Sequence, residues 1–133
     1  MIPSFDESGF LPPGIHRATL DDIASRFGRQ SELRRVQMES VRWMVELAVR
    51  AGVERIVLNG SFVTDILEPN DVDCALLLAD DYPRDAAASD ELIKGLPFLE
   101  ILRVDETEFN RLVHRFFASS RLAVIKGMIE ISL

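Results

Sequence analysis

Asp71 and Asp73 stand one residue apart in "EPNDVDCALLLA", and the second leads straight into a continuous apolar run. Side chains two apart on a strand project to the same face, so these carboxylates are expected together, with Cα atoms roughly 6.5–7 Å apart. Bare, they repel, and burial raises their pKa values. A divalent cation removes the conflict, and Mg²⁺ takes one or two carboxylates plus waters and substrate phosphates. Upstream, Gly60-Ser61 closes the segment "ERIVLNG". Gly60 permits a sharp turn or a close backbone approach. Ser61 and the first free N–H groups of a following short helix, "SFVTDIL", would offer donors to phosphate oxygens. The chemistry suggested is a phosphate cradle beside a metal pair. The plainer alternative is a structural domain in which Asp71, after "EPN", is a turn residue and Asp73 an exposed strand end.

Two strands and their supports must position these residues. Residues 1–18 are rich in Pro and Gly without a period and are expected as an extended arm across the surface; residues 19–133 form one domain. Thr19 followed by Asp22 has the spacing of a helix start, with Ile23 and Phe27 as the apolar side and Gly28 as the stop. Ser31 is expected to cap a long helix. Leu33, Val36, Val41, Met44, Ala48 and Ala51 recur at helical spacing on its core face, widened by Val45 and Leu47, and Gly52 ends it. Glu32, Arg34, Arg35, Glu39, Arg42 and Glu46 are assigned to the opposite side. Strands are expected over Glu54–Asn59, Val72–Ala79 and Phe98–Val104, the second apolar on both faces after Asp73 and therefore central. A short helix ends at Gly95. "DETEFNRLVHRFF" has Phe109, Leu112, Val113, Phe116 and Phe117 at helical spacing, with Asp105 or Thr107 as the cap, and "LAVIKGMIEISL" reads as a final strand or strand pair. Helices mixed with a few strands predict an α/β (α+β) class, a small mixed sheet flanked by helices.

The 133 residues are 47% apolar and 28% charged, the balance of one soluble domain with its own core. The formal net charge of −7 argues against duplex DNA as a partner, because phosphate contacts need clustered Lys and Arg. No secretory signal and no membrane-length apolar run is read, and the single Cys74 forms no internal disulfide, so the expected location is cytoplasmic. Cys74 should point away from Asp73 as a packed thiol. His16 reads as a surface residue and His114 lacks a zinc-ligand spacing. Trp43 and Phe116-Phe117 read as core. Ser61 has no nearby His to activate it for hydrolase chemistry.

The order strand, Gly60-Ser61, short helix, Asp71-x-Asp73 and apolar strand resembles the signature of the nucleotidyltransferase superfamily, the polymerase-beta-like fold. The segments Ile2–His16, Gly60–Asp73 ("GSFVTD…PNDVD") and Phe116–Leu133 also resemble a group of small bacterial and phage-type proteins in that superfamily. The resemblance implies that Asp71 and Asp73 hold one or two Mg²⁺ ions, that Gly60 and Ser61 contact the β- and γ-phosphates of an NTP, and that a third carboxylate lies on a later strand. Glu100 is the choice, because a Glu inside "PFLEILRV" needs a partner or a site; the alternatives are Asp105 as the third ligand, or Glu100 on an exposed face opposite Arg103. Lys126 would add positive charge if the last strand passes near the site. The implied activity is transfer of NMP from an NTP to a hydroxyl acceptor, in a toxin–antitoxin or defence pair. A partner protein or a homo-oligomer would complete the acceptor site. Two departures, the absence of a basic residue in "FVTDILE" and a Glu where Asp is usual, imply the alternative of an inactive binding module serving as antitoxin or regulatory partner.

Overall fold

Thr19 and Ser31 begin the first two helices as their spacing predicts. A computed structural model describes residues 2–116 and 126–133. Helix α1 spans Leu20–Phe27, with Thr19 and Asp22 closing a reciprocal capping box. Helix α2 spans Glu32–Ala51; Ser31 caps its start and Gly52, at φ 99°, takes the left-handed turn that ends it. Helix α3 is Ala86–Lys94, capped by Asp85, and helix α4 is Glu106–Arg111, capped by Asp105 and continued by a π turn over Leu112–Phe116. The expected helix therefore changes pitch after Arg111; Phe117 lies outside the described residues.

The strands are β1 (Gly14–Ala18), β2 (Val53–Asn59), β3 (Val72–Leu78), β4 (Leu99–Val104) and β5 (Gly127–Ile131). They form one mixed five-stranded sheet in the order β1-β5-β2-β3-β4. β2 runs antiparallel to β3 and β5, whereas β3–β4 and β1–β5 are parallel pairs. The expectation of an α/β class with a small mixed sheet flanked by helices holds. One correction concerns the arm. Its last five residues are not a surface crossing but the edge strand β1, in register with β5 from Gly14↔Gly127 to Ala18↔Ile131. An edge strand tolerates the neighbouring Pro and Gly that obscured it. Leu11 is also buried, and Phe10 bridges to Thr64.

Strand alternation divides the core. Ile56, Leu58, Val72, Cys74, Leu76 and Ile129 face α1, α2 and α3. Val57, Ala75, Leu77 and Met128 face the other way, where Phe109 and Val113 of the α4 segment cover them. β3 is thus apolar on both faces because helices lie on both. Trp43, expected in the core, is instead 46% exposed on α2. Among the described residues no helix is long and apolar enough to cross a membrane.

The arm lies close against the start of β5 at Gly127, whose N–H donates to Leu11 O at 3.0 Å. A Cβ there would collide with the Pro12 carbonyl oxygen, which is main chain and has little room to yield. Gly127→Ala is therefore expected to prise the arm from β5 at a cost of about 1–3 kcal/mol, measured by urea unfolding.

Candidate functional site

The register of three strands sets out the site. Asn59 of β2 pairs with Asp73 of β3, and Asp73 pairs with Glu100 of β4. Paired residues share a face, so the amide and the two carboxyls form a row across adjacent strands. Asp73 alternates with Ala75 and Leu77, which puts the row on the α4 face of the sheet, at the end where β2 stops and β3 and β4 start. The Asp73 and Glu100 carboxyls lie within hydrogen-bonding reach of each other. Asp73, Cys74, Glu100 and Leu102 line a partly enclosed cavity of about 200 Å³.

Gly60 makes the close approach possible. Its backbone, at φ 84° and ψ −159°, lies in a region essentially closed to side-chain-bearing residues. A Cβ there would fall on Asp73 Oδ2. The Asp73 carboxyl therefore occupies the space that the missing side chain leaves. Burial, then the hydrogen bond to Glu100, then the charges of Glu100 and Asp71 push its pKa up to about 6. Beside it, the buried Asn59 Oδ1 accepts no hydrogen bond among the described residues. Two carboxyls and an orphaned amide oxygen are an all-oxygen donor set that suits a hard cation such as Mg²⁺.

The ten-residue connection from Ser61 to Asn70 is fixed from below by α2. Arg34 is 2% exposed, although its charge suggested the solvent side. Its guanidinium donates to the carbonyls of Phe27 (3.0 Å), Phe62 (2.7 Å), Thr64 (2.8 Å), Ser61 (3.4 Å) and Ile66 (2.9 Å from Nε, with a second, shorter bond from Nη2). It also lies 5.4 Å from the Phe62 ring centre. Desolvation lowers its pKa, and the charge of Asp65 opposes that. Ser31 Oγ donates to Leu67 O at 2.9 Å, and Gln37 Nε2 to Pro69 O at 2.7 Å. Ser31, Arg34 and Gln37 are spaced by three, so one helical row grips the whole connection. That spacing was visible: Arg34 and Gln37 continue the stripe Met38, Val41, Met44, Val45, Ala48 toward the N-terminus.

The other expected residues fall as follows. Asp71 is exposed on the lead-in to β3, near enough for its charge to act on Asp73. Among the described residues, no three His, Cys, Asp or Glu side chains form a ready-made metal cluster. Ser61 heads a 3₁₀ turn of only three residues, Ser61–Val63, so the expected helix "SFVTDIL" is a single turn followed by a loop. Lys126 precedes β5 at the same end of the sheet, but its ammonium sits 4.7 Å from the Phe10 ring centre. Asp105 is committed to capping α4 through Glu108 N at 2.9 Å, which removes it as the third carboxylate. Glu100 neighbours Asp73 rather than a basic residue. Cys74 is buried on the opposite face, its thiol pushed up by burial. His16 is half-buried in β1, with Nε2 2.7 Å from Pro12 O, and His114 is exposed.

A family model described as a family of unknown function (DUF6932) matches residues 3–132. No curated protein and no solved structure matches the chain.

Two outcomes are expected from the site's geometry. Arg34→Met leaves five carbonyls without their donor and should cost at least about 3 kcal/mol in urea unfolding. Arg34→Lys should recover only a small part, because an ammonium does not reproduce the planar fork. Asp73 gives a pH signature. A carboxyl raised from 3.8 to about 6 binds its proton more tightly when folded. The metal-free protein is thus expected to lose stability as pH rises from about 4 to about 6, and to stay at the lower value above. Because Asp73 is only half-buried, solvent screening limits the loss to about 1 kcal/mol. Asp73→Asn should abolish that slope and be the more stable protein at pH 7.5 in thermal melts; a less stable variant would mean the carboxylate is structural.

Proposed function

The chain belongs to that family of unknown function, and we propose that it is a Mg²⁺-dependent nucleotidyltransferase that moves NMP from an NTP to a hydroxyl. The observation that carries the reading is the Asp73–Glu100 pair, aligned on adjacent strands and pressed against the Gly60 turn. The nucleotidyltransferase-like order of Gly60-Ser61 and Asp71-x-Asp73 supports it. Asp73 and Glu100 would hold the cation, with Asp71 adding negative charge from the lead-in. Bound there, Mg²⁺ would supply Lewis-acid polarisation of phosphoryl oxygens and neutralise triphosphate charge. Gly60 keeps side-chain bulk out of the place where phosphates would approach. Ser61 Oγ has no hydrogen-bond partner among the described contacts, which leaves it available to phosphate oxygens. Arg34 does not touch the substrate in this scheme; it fixes the Ser61–Ile66 backbone from beneath.

A second reading rests on a specific feature. Neither Lys nor Arg is among the described residues lining the cavity, and the guanidinium beneath the loop is spent on carbonyls. That deficit favours a nucleotidyltransferase-like module that binds a nucleotide or a partner protein without turnover, as an antitoxin or regulatory subunit. Under either reading the acceptor surface would come from a partner protein or a second copy.

The test is incubation with Mg²⁺, each α-labelled NTP and a cell lysate as acceptor source, with Asp73→Asn and Glu100→Gln in parallel. Label transfer is expected from the wild type, with a loss of at least about 100-fold in each variant and on chelation of the metal. Mg²⁺-dependent NTP binding without transfer selects the binding module. If Mg²⁺ gives no thermal shift and no NTP binds, the enzyme reading falls.

A further inference from the structure

The α4 face of the sheet carries a second cleft, away from the carboxyl row. Ile15 and Arg17 of β1, Glu130 of β5 and Arg55 of β2 line an open hollow of about 500 Å³. That is within the range of small-molecule sites, roughly 300–1,000 Å³. The residues reach it by register: Ile15 and Arg17 pair with Met128 and Glu130, and Glu130 pairs with Val57, two residues from Arg55. Along β2, Arg55 is four residues from Asn59, so the cleft stands roughly 13 Å from the row.

Its charge arrangement is built rather than incidental. Glu130 is 6% exposed, and both its oxygens are taken by Arg55, from Nε at 3.0 Å and Nη2 at 2.6 Å. The Arg55 guanidinium also stacks on Phe109, 5.0 Å from the ring centre. This side-on grip holds the guanidinium fork in one orientation and leaves Nη1 without a partner among the described residues. Arg17 is exposed and donates to no described residue, although it sits directly across from Glu130. The one buried carboxylate is thus neutralised by Arg55, and the cleft keeps a net positive charge from Arg17 in a chain whose formal charge is −7.

We propose that this cleft binds the oxyanion group, phosphate or carboxylate, of a small organic ligand, clamped between Arg17 and Arg55 with Ile15 as its apolar wall. Glu130 acts as the positioning residue that aims Arg55. The site does not depend on the nucleotidyltransferase reading, and it needs no metal.

The test is titration of the wild-type protein, in EDTA, with inorganic phosphate and pyrophosphate in one arm and succinate in the other. Calorimetry and the Ile15 methyl resonance provide the readouts. Binding in at least one arm is expected with Kd at or below about 1 mM, and the arm that binds tells phosphate from carboxylate. Arg17→Gln should weaken it about tenfold and Arg17→Lys by several-fold, since lysine keeps the charge and loses the fork. Asp73→Asn should leave it unchanged, which separates this cleft from the carboxyl row. No binding in either arm at about 10 mM, or binding unaffected by Arg17→Gln, overturns the proposal.

Discussion

The structure turns on one buried guanidinium. Arg34 has been taken out of water, which costs several kcal/mol for an unpaired ion. Here the cost is offset by six hydrogen bonds to five main-chain carbonyls, with no carboxylate bonded to it. Carbonyls of a short irregular connection have no ladder to satisfy them. Arg34 gives them one shared donor, and the delocalised fork reaches oxygens within the 3₁₀ turn and after it at once. Take it away and both the charge partner and the shape of Ser61–Ile66 are lost together. That loop sets where β2 ends and where β3 begins, so it also sets the distance between Gly60 and Asp73. The site's geometry is therefore held from the α2 side of the sheet, while its chemistry lies on the α4 side.

The carboxyl row is the opposite kind of feature. Asp73 is half-buried against a residue without a side chain, beside a second carboxyl and within reach of a third. Nothing in the described fold compensates it, and at neutral pH the arrangement works against stability. Gly60 adds conformational cost, since its backbone occupies a region that other residues avoid. Local conflicts of this type concentrate where a protein binds or reacts, because a ligand can relieve what the fold alone does not. The orphaned Asn59 oxygen belongs to the same pattern. The strain and the missing partner point to the same location, and the Arg34 clamp is what allows the chain to sustain both.

How much of this the sequence discloses depends on the range of the interaction. The caps at Thr19, Ser31, Gly52 and Asp105 are local, and residue types three or four apart declare them. The central position of β3 is declared by its unbroken apolar run. The Asp73–Glu100 pairing is not local. It needs the parallel register of strands separated by a helix, and the only trace in the sequence is a Glu set in an apolar strand. β1 was hidden because its partner is the last strand and its surroundings are Pro- and Gly-rich. Arg34 was hidden by its residue type: its charge assigned it to the side opposite the core stripe, although it stands four residues before the buried Met38. Trp43 failed in the converse way, a large apolar side chain on the helix flank that the core does not need.

On the α4 side of the sheet, acidic groups gather at one end, around Asp73 and Glu100, and two arginines stand near the other, at Arg17 and Arg55. Phe109 packs over the strands on that side and stacks on Arg55. A buried carboxylate at Glu130 is satisfied by Arg55, whereas the half-buried carboxyl at Asp73 has another carboxyl for a neighbour. The chain has the means to pair an acid, and does so a few residues away on the same face. Among the described residues it does not do so at Asp73, where no positive group pairs with the carboxyl. Under the proposed function a cation held between oxygens would supply that charge.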